Sequence, residues 1–137
     1  MSIKALNFFL FLLLASTAFG QDVRSTGLRW TVSGLNDLRS AKSDLYSCVF
    51  ETNGTRSISW KQKNGLYITT LNITSVEGTW SDFKANGSII YNITVEGQSG
   101  SLTFEKDDSG MKITIDLSQP SGTRLRHRYS VVNITAI

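Results

Sequence analysis

The sequence is poor in the residues on which most small catalytic or metal sites depend. Its 137 residues include one histidine (His127), one cysteine (Cys48) and one proline (Pro120). A single histidine excludes a multi-histidine metal site within one chain, and a single cysteine excludes an intrachain disulfide framework and a CxxC motif. We therefore expect neither a metal site nor any other cofactor.

The excess of positive over negative charge is also small. The 14 lysines and arginines exceed the 11 aspartates and glutamates by only three, so the formal net charge at pH 7 is +3. Nucleic acids and anionic membranes call for a stronger positive field, and we expect no nucleic acid partner. Phosphate-binding loops and catalytic elbow motifs are absent as well. A chain of this length builds one domain around one core.

The first 20 residues have the organisation of a cleaved secretory signal peptide. Lys4 supplies a positive start, residues 8–14 form a short apolar run, and Ala18-Phe19-Gly20 places small residues where a signal peptidase reads them. The run is too short for a spanning helix, which needs roughly 20 apolar residues. We expect residues 21–137 to form a single mature domain that is secreted or periplasmic and has no transmembrane segment.

Five Asn-x-Ser/Thr sequons follow this leader. They act as glycosylation sites only in a host that glycosylates secreted proteins. Outward-facing Asn and Thr on a strand produce the same spacing, and the leader would also serve a Gram-negative bacterium, so both kinds of host remain open. The five asparagines are Asn53, Asn72, Asn86, Asn92 and Asn133.

Alternation of apolar and polar residues dominates the second half of the chain. A period of two is clear in residues 88–96, 101–105 and 111–118, and it indicates half-buried antiparallel strands. The joins at residues 97–100 and 107–110 are short and rich in turn-forming residues. Consecutive hairpins of this kind predict an all-β, up-and-down meander.

Taken over residues 21–137, the sequence pattern predicts eight or nine short antiparallel strands. The first contains Leu28, Trp30 and Val32, the last covers residues 123–134, and residues 76–80 form a short strand before the longest loop. Residues 36–43 lack alternation and predict one helical turn. We expect the sheet to close into a barrel, because consecutive hairpins favour up-and-down order; a two-sheet β-sandwich is the alternative.

Two Asn-Gly pairs predict the register of the middle strands. Asn64-Gly65 favours a two-residue type I′ turn, since both central residues need positive φ, and this turn sets Trp60 opposite Thr69. At Asn53-Gly54 a two-residue loop would split the apolar residues between the two faces of the sheet. A three-residue loop with Gly54 in the left-handed conformation restores one apolar face, and we predict that bulged turn.

Aromatic residues on the apolar faces are the best indication of a binding site. They line a small apolar pocket if the barrel leaves a cavity, and otherwise they form the core. The predicted ligand-binding residues are Trp30, Tyr46, Trp60, Tyr67, Tyr91, Phe104 and Tyr129.

Three arginines alternate along the last predicted strand: Arg124, Arg126 and Arg128, here named the arginine stripe. Strand geometry sets successive side chains on one face about 7 Å apart, a spacing suited to bidentate binding of phosphate, sulfate or acidic glycan. The alternative is a solvated strand face whose charge discourages edge pairing.

His127 and Cys48 both fall on the inner face by alternation. A packed histidine that bonds to the backbone and a buried thiol that behaves as a small hydrophobic group are the expected roles. An intermolecular disulfide or a reactive thiol is the alternative for Cys48 in an oxidising compartment. We predict no catalytic residue.

The layout of leader, short hairpins, a tryptophan on the first strand and an arginine on the last resembles that of small secreted lipocalin-like (calycin-type) β-barrels. In that family a Gly-x-Trp motif on the first strand meets a late arginine beneath the barrel. The nearest match here is Gly27-Leu-Arg-Trp30 with Arg126 or Arg128. The spacing is one residue longer, and the family's long helix before the last strand is missing. Avidin-type barrels are similar at the same general level.

These observations favour a non-enzymatic secreted or periplasmic β-barrel that binds a small apolar ligand or a partner. One alternative is an extracellular interaction module that uses the arginine stripe to bind an acidic glycan or protein. Another is a hydrolase-type enzyme centred on His127 or Cys48. An enclosed cavity lined by aromatic side chains would support the version with a small ligand, and a fully packed interior would contradict it.

Overall fold

A computed structural model describes residues 22–137, and the predicted signal peptide lies outside the described residues. The described chain is all-β. Each strand pairs in antiparallel fashion with the next, and the last pairs with the first, so the sheet closes into a barrel. The eight strands are β1 (Leu28–Asp37), β2 (Ser43–Thr52), β3 (Ser57–Gln62), β4 (Tyr67–Glu77), β5 (Gly87–Val95), β6 (Gln98–Asp107), β7 (Gly110–Ser118) and β8 (Arg124–Ala136). The predicted meander barrel is confirmed, and the β-sandwich alternative is wrong.

Two predicted local structures differ from those observed. The predicted short strand over residues 76–80 does not form. Val76 instead belongs to β4, which ends one residue further along, at Glu77. Gly78 has a φ of 85°, which is not an extended conformation, so the chain turns there and β4 ends. The turn predicted for residues 36–43 is shorter, because β1 continues to Asp37 and the N–H of Ala41 donates to the Asp37 carbonyl at 2.8 Å.

The two Asn-Gly turns position the middle strands. Asn64 and Gly65 have φ of 57° and 84°, as a type I′ turn requires, and Trp60 pairs with Thr69 as predicted. Gly54 has the predicted left-handed φ of 76°. The loop around Gly54 is longer than predicted, because Thr52 pairs with Ile58 and leaves residues 53–57 between them. The predicted loop has three residues and the observed loop has five. Because both numbers are odd, the apolar side chains of β2 and β3 stay on one face of the sheet.

The inward side chains fill the centre of the barrel with aromatic rings. Trp30 is fully buried and packs against Phe104 and Trp80, with ring centroids 4.7 and 5.7 Å away. Its Nε1–H donates to Oγ1 of Thr52 at 3.0 Å, and Thr52 is itself buried. This bond satisfies the one polar group that the indole carries into the core.

One end of the barrel, the closed end, is covered by residues 22–27 and by the β4–β5 connection at residues 78–86. Val23, Trp80 and Phe83 of these segments are buried, and the N–H of Val23 donates to the Trp80 carbonyl at 3.0 Å. The indole N–H of Trp80 donates to the Ala85 carbonyl at 3.0 Å. These contacts seal the interior below Trp30 from solvent.

The other end, the open end, is bordered by four short connections, at residues 38–42, 63–66, 96–97 and 119–123. None of these residues is buried. The open end therefore lacks the cover that residues 22–27 and 78–86 provide at the closed end.

Candidate ligand site at the open end

A recess of about 290 Å³ lies at the open end of the barrel. Its apolar wall comes from strands β3, β4, β5 and β7 and from the β7–β8 turn, and Leu71 is buried at 1% exposure. The volume is near the lower limit of roughly 300–1,000 Å³ for small-molecule pockets. The recess is lined by Trp60, Thr69, Leu71, Val95, Glu96, Gln98, Leu117, Ser118, Gln119 and Pro120.

Trp60 is the aromatic wall of this recess. Its indole stacks on Phe50 with a centroid distance of 5.5 Å and an interplanar angle of 9°. Tyr129 packs edge-on against the same indole at 6.0 Å. Contacts on two sides restrict the motion of the Trp60 ring, so this aromatic surface is held in place before any ligand arrives.

Cys48 lies in the core beside this wall and is buried. Burial raises the pKa of its thiol to about 11, and the indole N–H of Trp60 opposes this shift in part. A thiol with so high a pKa holds its proton at neutral pH, and only the thiolate is a good nucleophile. The low reactivity of the Cys48 thiol stays a prediction, and alkylation of the folded protein tests it.

Two tyrosines connect the wall to the core. The Tyr46 hydroxyl donates to Oε1 of Gln62, and the Tyr46 ring lies 5.8 Å from that of Tyr129. Burial raises the pKa of both hydroxyls, more strongly for Tyr129, which is 1% exposed. Both hydroxyls therefore keep their protons at neutral pH.

The structure separates the seven predicted ligand-binding residues into four groups. Trp60 lines the recess, whereas Tyr46, which is half-buried, and Tyr67, which is 54% exposed, are not among the lining residues. The other four lie in the packed core: Trp30, Tyr91, Phe104 and Tyr129. Alternation assigned the inward face to these residues, but it carries no information on which end of the barrel is open. Their contact with a ligand stays a prediction.

The recess also uses residues that the sequence did not single out. Leu71, Val95, Leu117 and Pro120 supply most of its apolar wall. Leu71 and Leu117 belong to the alternating apolar positions, so their inward direction was visible. Their meeting at one end depends on closure of the barrel, which brings β4 and β7 to the same opening.

His127 faces Asp37 across the β1–β8 pair. The distance from Nε2 to Oδ2 of Asp37 is 3.8 Å, beyond hydrogen-bond reach. The N–H of Arg39 donates to the Asp37 carboxylate at 2.9 Å and is the main cause of the lowered pKa of that carboxyl. Residues 22–137 contain no group of three His, Cys, Asp or Glu side chains placed to bind a metal. The absence of catalysis stays a prediction.

The arginine stripe points outward from β8. Asp116 on β7 pairs with Arg124 at 2.7 Å and with Arg126 at 3.6 Å, while Nε of Arg128 is 3.5 Å from Oγ1 of Thr114. Strand β8 pairs with β7 on one side and with β1 on the other. Pairing with β1 begins at His127, so Arg128 lies away from any free edge, whereas Arg124 lies before this pairing and can still discourage edge pairing.

The tryptophan–arginine contact of the lipocalin-like pattern does not form between these residues. Trp30 pairs with Ile134 near the closed end, whereas Arg128 pairs with Asn36 near the open end. Trp30 faces inward, and Arg126 faces outward toward Asp116.

Four of the five sequon asparagines are exposed, namely Asn53, Asn72, Asn86 and Asn133. Asn92 is half-buried, and its amide nitrogen donates to Oγ of Ser75 at 2.9 Å and to Oε2 of Glu77 at 3.1 Å. Attachment of a glycan replaces one hydrogen of that nitrogen and breaks one of the two bonds. Glycosylation stays a prediction at every site.

Comparisons with protein-family models, with curated proteins and with solved structures give no match to the chain. Within residues 22–137 no helix has the length and hydropathy needed to cross a membrane. The class that the fold defines is a closed eight-stranded antiparallel meander barrel, a layout consistent with lipocalin-like barrels.

Proposed function

We propose that the chain is a non-enzymatic, secreted or periplasmic binding protein that holds a small apolar ligand at the open end of its barrel. The recess of about 290 Å³ carries this proposal, because its wall is mainly apolar, its indole is held by stacking on Phe50 and its rim is polar. This composition is typical of small-molecule sites. The lipocalin-like layout of the barrel supports the same function.

The lining limits the chemistry of the ligand. The flat indole of Trp60 and the side chains of Leu71 and Leu117 favour a compact, ring-shaped apolar body. Gln98 and Gln119 at the rim can hydrogen-bond a polar substituent. Glu96 repels anions, so the expected ligand is neutral or cationic.

A larger groove of about 460 Å³ is a weaker candidate for the same function. Its walls include Thr31, Ser47, Val49 and Lys61, together with the turn at Asn64 and Gly65. No aromatic side chain lines it. Apolar ligands gain most from aromatic and aliphatic walls, so the recess with Trp60 fits an apolar ligand better.

A neutral fluorescent probe, N-phenyl-1-naphthylamine, tests the proposal. We expect a saturable rise in probe fluorescence with wild-type protein. Leu117→Trp fills the recess from β7 and is expected to weaken probe binding at least about tenfold, equivalent to roughly 1.4 kcal/mol. Val132→Trp adds the same indole on the exposed outer face of β8 and serves as the matched control.

Circular dichroism and thermal unfolding establish that both variants fold. Absence of saturable binding to the wild type contradicts the proposal. Equal binding by wild type and a folded Leu117→Trp variant places the probe elsewhere and also contradicts it.

A further inference from the structure

The outer face of β7 and β8 has a charge pattern that the ligand recess does not explain. We propose that the arginine stripe, with Asp116 as an internal competitor, binds a linear acidic polysaccharide through its carboxylate or sulfate groups. This surface is separate from the recess, because its side chains point away from the barrel interior.

The stripe has the geometry of a repeating cation site. The three arginines alternate along one face of β8, so their Cα atoms are spaced about 7 Å apart. The side chains of Arg124 and Arg126 are 55% and 52% exposed. Guanidinium binds carboxylate and sulfate oxygens in a bidentate manner. A row of such groups suits a polymer with repeated anions better than a single small anion.

The surface keeps surplus positive charge despite its internal pairs. Among the outward positions at residues 114–118 and 124–130, Asp116 is the single carboxylate, and it is shared between Arg124 and Arg126. A fourth guanidinium lies alongside, since Nη1 of Arg39 donates to the Arg124 carbonyl at 3.3 Å. Three arginines and one aspartate leave a net charge of +2 on the stripe itself.

The neighbouring side chains favour a carbohydrate over other polyanions. Thr114 and Ser118 flank the stripe on β7, and Thr103 on β6 pairs with Thr114. Hydroxyl groups can donate to and accept from sugar hydroxyls. Base stacking on single-stranded nucleic acid calls for aromatic side chains, and residues 114–118 and 124–128 present none outward.

The substitution Asp116→Asn tests the proposal, because it is expected to increase the affinity of the arginine stripe for polysaccharide. The change frees Arg124 and Arg126 from their shared carboxylate, and we expect several-fold tighter binding to alginate, a polyuronate, and to dextran sulfate. Glu51→Gln is a matched control, because Glu51 also lies between two cations, Arg29 and Lys61, on a different part of the barrel. The control changes the net charge equally and is expected to leave the affinity unchanged.

Two further variants test the arginines directly. The triple change of Arg124, Arg126 and Arg128 to Ala is expected to weaken binding at least about tenfold and to reduce its salt dependence, since fewer counterions are released. The triple change to Lys keeps the charge and the fold, and is expected to bind more weakly than wild type because lysine lacks the bidentate fork. Neutral dextran, DNA and phosphatidylglycerol vesicles complete the set of probes.

Wild-type affinity in either triple variant overturns the proposal, as does equal tightening by Asp116→Asn and Glu51→Gln, which indicates net charge alone. Tighter binding to phosphatidylglycerol vesicles or to DNA than to either polysaccharide assigns the surface to another class of partner and also overturns it. Loss of binding in a folded alanine variant, with the aspartate variant alone gaining affinity, supports it.

Discussion

The indole of Trp80 occupies the position that a side chain on residue 87 would need. A Cβ at Gly87 would approach Cδ1 of Trp80 more closely than two carbon atoms can. Trp80 is held there by the bond from its indole N–H to the Ala85 carbonyl and by packing against Trp30. The glycine at the start of β5 is therefore part of the closed end.

Gly87→Ala is expected to destabilise the protein by about 1–3 kcal/mol, because overpacking forces the Trp80 ring or the β5 backbone to move. Urea unfolding followed by tryptophan fluorescence measures the change. Gly34→Ala is the control, since a Cβ there meets Ser130 at an ordinary 3.5 Å. Equal stability of the Gly87 variant and wild type would show that Trp80 does not hold this position.

Thr52→Val is expected to destabilise the protein by about 1–3 kcal/mol. The substitution preserves the shape of the side chain but removes the acceptor for Nε1–H of Trp30, which leaves a buried donor without a partner. Thr70→Val, at an exposed position of β4, provides the control. Equal unfolding midpoints for the two valine variants would disprove the role assigned to this bond.

Cys48 is expected to resist alkylation by iodoacetamide at pH 8 in the folded protein and to react promptly in urea. Its folded pKa of about 11 lies above the ordinary value of about 8.5. The stabilisation from the protonated thiol is complete below the ordinary pKa, and it declines as pH rises toward 11 because the unfolded chain ionises first.

Unfolding free energies measured between pH 7 and pH 10 test the same residue. Cys48→Ala is expected to reduce the loss of stability over this interval. Rapid modification of the folded wild type at pH 8, or an identical pH dependence in the alanine variant, would refute the assignment.

Glu51→Gln is expected to destabilise the protein at pH 7 by about 0.5–1 kcal/mol, the usual size for a surface ion pair. Hydrogen bonds from Lys61 and then from Arg29 lower the pKa of the Glu51 carboxyl. A lowered folded pKa contributes stability above the ordinary value of about 4.3, and this contribution is lost as pH falls through the folded pKa. Thermal unfolding of both proteins at pH 7 and at pH 3 should show the difference narrowing; a constant difference would exclude this linkage.

Much of the barrel was predictable from local sequence because strand alternation and turn chemistry act over a few residues. The inward direction of Trp30, the outward direction of Arg126 and the type I′ turn at Asn64-Gly65 all follow from such short patterns. The loop after Thr52 was predicted two residues too short, because pairing of β2 with β3 determines its length.

The candidate site was less predictable. Alternation places Tyr91 and Trp60 on the same inner face and does not distinguish them, yet the first is sealed in the core and the second lines the recess. Val23 and Trp80 cover the end of the barrel that holds Tyr91 and leave the end that holds Trp60 open. These two residues are far apart along the chain and meet only in the folded protein.

The sequence by itself determined the class of secondary structure, the face to which most strand side chains point and the scarcity of metal-binding and catalytic residue types. These properties depend on composition and on a period of two, which are local. The tertiary structure decided that β8 closes on β1, that one end is sealed and that Trp60 faces the other. Closure and sealing depend on contacts between distant segments, whose geometry no short pattern contains.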